Sequence, residues 1–217
     1  WEGEFKVKQN GIIYICFKRV MDVFIGLFGT IFIVLPSSLI IYIIYKIKGY
    51  KGSIFFTQYR VGLKGKKFKI IKFRSMVENA EEVLTANKAL YEKYINNSYK
   101  LPPNEDPRLT NIGDFIRKTS IDEIPQFINL MLGDMSLIGP RPILENELEE
   151  YSKEEQQVLL SVRPGITGMW QVSGRSEVHY PERCEMELYY PRNQSFLLDV
   201  KIFFLTIKKV LSGEGAH

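Results

Sequence analysis

Asp122 and Glu123 stand side by side in the stretch Arg117-Lys-Thr-Ser120-Ile-Asp122-Glu123-Ile-Pro125-Gln126. Adjacent carboxylates repel unless a cation lies between them, and Arg117 offers one positive charge close by. With Mg²⁺ the pair would make a centre for phosphoryl transfer near a helix N-terminus, where backbone N–H groups favour anionic oxygens. A plainer use of the same residues is capping. Ser120-x-x-Glu123 has the capping-box pattern, and Asp122 could be an N-cap with Pro125 in the first turn. Composition narrows the chemistry further. The 217-residue chain holds only two histidines, His179 and His217, and two cysteines, Cys16 and Cys184. A disulfide-rich scaffold and a Cys-rich zinc site are excluded, and the expected acid, base or nucleophile is a carboxylate, Lys or Tyr.

Several cations could meet a phosphorylated ligand. Arg141 lies between Pro140 and Pro142, which confine its backbone and hold the guanidinium on a rigid turn suited to phosphate oxygens, or equally to a local salt bridge. Arg163 and Arg175 bracket a stretch with Gly165, Gly168 and Gly174, where the backbone could approach a ligand closely, and Trp170 could stack or pack. Lys64, Lys66, Lys67, Lys69, Lys72 and Arg74 alternate in strand fashion beside an apolar segment. That placement suits anionic lipid or a phosphorylated substrate better than nucleic acid, and no phosphate-binding GxxxxGK[ST] loop is present.

The elements that must position these groups are of two kinds. Val23 to Tyr45 is a run of 23 residues without a charge, roughly 35 Å as a helix, whereas the whole chain is 25% charged with a net charge of +4. Lys18 and Arg19 precede the run and Lys46, Lys48 and Lys51 follow it, so both ends favour the cytoplasmic surface. Pro36, near the middle, should kink or break the helix and push Leu35 from helical geometry, with Ser37 and Ser38 supplying partners to the freed backbone groups. A re-entrant segment over residues 18–48 is expected, after an N-terminal extension of residues 1–17 and before a cytoplasmic-face body of residues 49–217. Ser53 to Arg74 reads as a hairpin turning at Gly62–Gly65, with a bulge between Ile70 and Ile71 where the apolar alternation slips phase. Val77 to Asn97 reads as one surface helix. Ser195 to Leu211 reads as a helix in the membrane interface with Lys201 and Lys208 reaching headgroups, the alternative being a core helix. The fold class is α/β in the α+β sense.

Taken in order, these residues resemble the bacterial sugar transferase family, the monotopic phosphoglycosyl transferases. The resemblance runs over about residues 14 to 211. It is carried by Lys18-Arg19-x-x-Asp22, Phe56-Thr57-Gln58-x-Arg60-x-Gly62, Lys72-Phe73-Arg74-Ser75-Met76 and Asp106-Pro107-Arg108. Arg117 to Glu123, Gly133-Asp134-Met135-Ser136, Gly139-Pro140-Arg141-Pro142, Arg163 to Gly168, Tyr189-Tyr190 and Leu197-Leu198-Asp199-x-Lys201 continue it. It implies transfer of a sugar 1-phosphate from a UDP-sugar to undecaprenyl phosphate with release of UMP, at the cytoplasmic face of the bacterial inner membrane, initiating surface polysaccharide or glycoconjugate assembly. On this resemblance Asp122 is the nucleophile that forms a phosphosugar-aspartyl intermediate, and Mg²⁺ sits at Asp122 and Glu123. Arg141 contacts the nucleotide, and Lys72, Arg74, Arg117, Arg163 and Arg175 are further substrate-binding candidates. Galactose or glucose is the favoured sugar, and a homodimer is compatible. One departure is that Leu35, not Ser, precedes Pro36. The chain also looks like the catalytic end of a larger member. The competing reading is a membrane-anchored lipid-binding scaffold without catalysis.

Overall fold

Ile12–Lys48 is one continuous helical run of 37 residues in the computed structural model, which describes residues 7–8, 10–97, 99, 101–173 and 178–212. It comprises α1 (Ile12–Gly29), a π turn (Thr30–Val34) and α2 (Leu35–Lys48). Helix α1 thus starts within the expected N-terminal extension. The helix is not interrupted at Pro36, and Leu35, expected to leave helical geometry, keeps it, with φ −62° and ψ −50°. The irregularity lies one turn earlier, where the Leu35 N–H donates to Thr30 O, a wider ladder that makes room for the proline ring. Ser38 Oγ donates to Val34 O at 2.7 Å, an i−4 back-bond that does not serve the carbonyls left free by Pro36.

The run is fastened to the body at both ends. Asp199 accepts from Tyr14 Oη (2.6 Å), Tyr190 Oη (2.6 Å) and Lys18 Nζ (3.0 Å). Arg19 donates to Leu130 O and Met131 O, and Asp22, buried, accepts from Leu137 N at 2.9 Å. Farther along, Ile41 and Tyr45 pack with Phe73 and Ile116, and Tyr45 Oη donates to Arg74 O. Between these anchors the outward face is uncovered: Phe24, Phe28, Phe32, Leu35, Leu39 and Ile43 are exposed, and only 17% of the most apolar window is buried.

Strands β1 (Phe55–Val61) and β2 (Lys67–Phe73) pair antiparallel in unbroken register from Phe55↔Phe73 to Val61↔Lys67. No bulge separates Ile70 from Ile71. The phase slip has another cause, because the strand is buried on both faces at different ends. Phe68 and Ile70 face Met135 and Ile166, whereas Phe73 faces Ile41, Tyr45 and Ile116. Lys72 consequently falls on the inner face with Phe68 and Ile70.

The stretch Val77–Asn97 is two helices, α3 (Ala80–Ala86) and α4 (Lys88–Asn96), because Asn87 leaves helical geometry and caps α4 through Leu90 N. Helix α5 (Asn111–Lys118), a 3₁₀ turn (Ile121–Glu123) and α6 (Gln126–Leu132) follow. The Asn129 side chain clips α6 to β2, its Oδ1 accepting from Ile71 N (2.9 Å) and its Nδ2 donating to Lys69 O (2.7 Å). Strands β3 (Ser136–Ile138) and β4 (Gly165–Thr167) run parallel. Helix α7 (Lys153–Leu159) precedes β4, and α8 (Met169–Ser173), α9 (Glu182–Asn193) and α10 (Phe196–Ser212) follow it. Helix α10 has two faces: Leu198 and Ile202 enter the core, as the core-helix reading expects, while Leu197, Phe204 and Val210 stay exposed beside exposed Lys201 and Lys208.

Helix α1 lies against α6 at glycines. A Cβ at Gly26 would come 2.5 Å from Met131 N and 3.0 Å from Phe127 O, so no other residue permits this approach without a shift. Gly26→Val should therefore lower Tm in detergent by roughly 2–10 °C, while Gly11→Ala, with open space around it, should leave it unchanged. Equal Tm values for the two variants would contradict this docking.

Candidate active site

Asp122 and Glu123 occupy a tight turn between α5 and α6. Ser120 adopts φ 55°, a left-handed conformation that turns the chain inward, and Asp122 becomes buried. Neither carboxylate is spent on capping. The Ser120 hydroxyl makes no cap bond, Glu123 N donates to the Ser120 carbonyl instead, and α6 starts from Pro125 without a side-chain cap.

The cation between the carboxylates is Lys72. Its Nζ lies 2.8 Å from Glu123 Oε1 and 3.6 Å from Asp122 Oδ2. Burial pushes the Asp122 carboxyl above its ordinary range and the Glu123 charge adds to this, while Lys72 and Arg117 oppose it. Arg117 is half-exposed at the margin, 3.9 Å from Asp106 Oδ2, and Asp106 is itself gripped by Arg108 through two 2.7 Å contacts. Two carboxylates suit Mg²⁺, which takes one or two protein carboxylates and completes its shell with phosphate oxygens and water. No cluster of three His, Cys, Asp or Glu exists among the described residues.

A cleft extends from Lys72 and Glu123 to Arg60, Arg141 and Gln171. The Arg141 guanidinium lies 5.3 Å from the Trp170 ring, which also receives Arg183 at 4.5 Å. Arg183 is fully buried with Glu187 (2.8 Å) and Glu147 (3.5 Å), and Tyr151 Oη donates to Glu187 at 3.0 Å. Glu147 also meets Arg60 at 3.4 Å, and Arg60 donates to Pro142 O and Gln58 Oε1. This buried ionic network fixes Arg60 and supports the Arg141 turn. Burial and the neighbouring Arg141 pull Arg60 down to about 10. A larger cavity of about 640 Å³, lined by Tyr59, Lys67, Leu144 and Glu145, lies across Arg60 and contains neither carboxylate of the pair.

Of the residues singled out from sequence, Lys72 and Arg141 thus share the cleft with Glu123, and Arg117 flanks Asp122. Arg74 lies elsewhere, donating to Lys51 O and Glu78 and packing on Tyr45. Arg163 donates to Gly133 O at 3.0 Å, on the α6–β3 turn. Arg175 and Gly174 fall outside the described residues. Gly139, Gly165 and Gly168 serve backbone-to-backbone approach between the β3 and β4 segments: a Cβ at Gly165 would meet Gly139 N at 2.2 Å. Arg60, Gln126 and Gln171 were not singled out for the site. For Arg60 a signal existed, since a charge opposite Phe68 sits on the apolar face of a half-buried hairpin.

A family model described as "Bacterial sugar transferase" matches residues 13–213. Curated relatives include "Undecaprenyl-phosphate galactose phosphotransferase" of Salmonella typhimurium, 42% identical over 92% of this chain and 41% of that protein. "Exopolysaccharide production protein ExoY" of Sinorhizobium fredii is 41% identical over 92% of this chain and 88% of its own. "UDP-glucose:undecaprenyl-phosphate glucose-1-phosphate transferase" of Klebsiella pneumoniae is 37% identical over 98% of this chain and 44% of its own. The chain spans about two fifths of the length of the first relatives it matches.

The raised Asp122 carboxyl has a measurable consequence. Between the unfolded value, about 3.9, and the higher folded value, the unfolded chain releases this proton first, so ionisation destabilises the fold as pH rises. In metal-free buffer, Asp122→Asn should therefore raise Tm at pH 7, with the gain shrinking as pH falls towards 4. A gain independent of pH, or a loss at pH 7, would contradict the assignment.

Proposed function

The chain belongs to the bacterial sugar transferase family, and on that premise we propose that it transfers a sugar 1-phosphate from a UDP-sugar to undecaprenyl phosphate, releasing UMP. The observation that carries this reading is the carboxylate pair bridged by Lys72, with Asp122 buried and with Glu123 and Lys72 lining a cleft that also presents Arg60 and Arg141. Relatives named for galactose and for glucose transfer support UDP-galactose or UDP-glucose as donor.

In this scheme the Asp122 carboxylate attacks the β-phosphorus. A carboxyl O–P bond forms, the bond from that phosphorus to the bridging oxygen breaks, and UMP leaves with the oxygen and its electron pair. An oxygen of undecaprenyl phosphate then attacks the same phosphorus, the acyl-phosphate bond breaks, and the Asp122 carboxylate is restored. Lys72 favours the ionised form of Asp122 against the effect of burial, and its second contact, to Glu123, does not depend on the Asp122 carboxylate. Arg141 and Arg60 bind phosphate oxygens of the donor, and Arg117 adds positive potential at the margin. Asp122 and Glu123 would hold Mg²⁺, which when bound offsets charge on the diphosphate.

The acceptor is a lipid, so the site must stand at a membrane surface. The anchors of α1 (Lys18, Arg19, Asp22) and of α2 (Ile41, Tyr45) grip one packed body. Were the run to cross the bilayer, its Arg19 and Tyr45 ends would stand on opposite sides of the membrane. Both flanks held by one body support a monotopic, re-entrant arrangement at the cytoplasmic face. The uncovered apolar face of α1–α2 and that of α10 would then meet lipid.

Purified chain in detergent should release UMP from UDP-galactose or UDP-glucose when undecaprenyl phosphate and Mg²⁺ are supplied. Chelation should abolish release, and Asp122→Asn should reduce it by on the order of 10³-fold or more. Full activity in Asp122→Asn would overturn the mechanism, and lipid binding indifferent to UDP-sugars would favour the scaffold reading. For topology, Lys8→Cys and Lys48→Cys in a Cys16→Ser background should react with an impermeant reagent from the same side. Labelling from opposite sides would reject the re-entrant arrangement.

A further inference from the structure

The cleft contains a buried acceptor that no described group satisfies. Gln171 Oε1 is inaccessible to solvent and has no hydrogen-bond partner, and two donors of the same cleft, Arg60 Nε and Arg141 Nε, are equally unpartnered. Buried polar atoms are nearly always paired in folded proteins, so three orphans lining one cleft call for partners from outside the chain. The rest of each side chain is held. Arg60 is fixed by Glu147, Gln58 and the Pro142 carbonyl, and Arg141 rests against Trp170. Gln171 lies on the short helix α8, and its Oε1 would stand only 3.1 Å from a Cβ at Gly168.

The orphans differ in what they require. The two arginine N–H groups need an acceptor, and Arg60 and Arg141 lie close enough to repel each other, so the acceptor they favour is anionic. Gln171 Oε1 needs a hydrogen donor, which an ionised phosphate does not have. A ligand satisfying all three carries an anionic group and, next to it, a hydroxyl or an N–H. We propose that Gln171 is a donor-recognition residue: its Oε1 accepts from a hydroxyl of the transferred sugar or of the ribose, while Arg60 and Arg141 hold the adjacent phosphate. This inference rests on the reading of the cleft as the site of the nucleotide-sugar donor.

Gln171→Met keeps length and helix preference but removes the acceptor. Binding of UDP-galactose, UDP-glucose and UMP to the full chain in detergent is measured by calorimetry, together with Tm of the ligand-free protein. The substitution should weaken binding of the UDP-sugars by about tenfold or more, because the ligand's donor is left unpaired. It should leave Tm unchanged or higher, because an unpaired buried acceptor has been removed. A purely structural Gln171 would show the opposite pattern, a lower Tm with unaltered affinity. If UMP weakens in parallel, the hydroxyl read is on the ribose; if only the UDP-sugars weaken, it is on the transferred sugar. Either outcome supports the proposal. Unchanged affinity for all three ligands overturns it while leaving the donor reading intact. Failure of the unsubstituted chain to bind any of them overturns the donor reading and this inference together.

Discussion

The ammonium of Lys72, set between Asp122 and Glu123, is the interaction on which the rest of the site depends. A buried carboxylate beside a second carboxylate would neutralise by taking up a proton, and a protonated Asp122 is no nucleophile. Lys72 can be there only because β2 is turned so that it shares the inner face with Phe68 and Ile70. The strand is held in that position by its pairing with β1 and by the Asn129 clip from α6. Helix α6 follows directly from the turn bearing the carboxylates, so one short helix fixes both the acids and their cation.

The same helix carries the apolar run. Gly26 and Gly29 of α1 lie against Met131 and Phe127, and Arg19 takes the last carbonyls of α6. A displacement of α1 would be felt at the carboxylate pair through a single seven-residue element. In the proposed function this coupling has a purpose: it sets the height of the nucleophile relative to the lipid, where a membrane-bound phosphate and a soluble nucleotide must both reach one atom.

Much of this was legible in the residues, and the failures have physical reasons. The hairpin and the two-faced character of α10 follow from periodicity and charge, whereas the role proposed for Asp122–Glu123 comes from the family resemblance. The Ile70–Ile71 phase slip was misread as a bulge because alternation assumes one buried face, whereas β2 crosses from one apolar cluster to another. Pro36 does not interrupt its helix because the π turn before it widens the ladder and makes room for the ring, a local adjustment that proline alone does not announce. Of the arginines singled out from sequence, Arg141 shares the cleft with Glu123 and Arg117 flanks Asp122, whereas Arg74 and Arg163 tie backbone segments together, a difference set by tertiary position. Gln171, Asn129 and the Arg183–Glu187 pair carry no sequence signal beyond ordinary polar residues on helices. Their meaning comes from burial, which the chain acquires only on folding.

The central claim is that Asp122 itself becomes bonded to the transferred phosphorus. Rapid mixing of the chain with a UDP-sugar and Mg²⁺, with no undecaprenyl phosphate present, tests it most directly. The account predicts a burst of UMP approaching one equivalent per active chain, with the sugar phosphate retained covalently on the Asp122 peptide, and no burst in Asp122→Asn. Release of UMP only after undecaprenyl phosphate is added, with unmodified Asp122 throughout, would mean direct transfer between the two substrates and would contradict it.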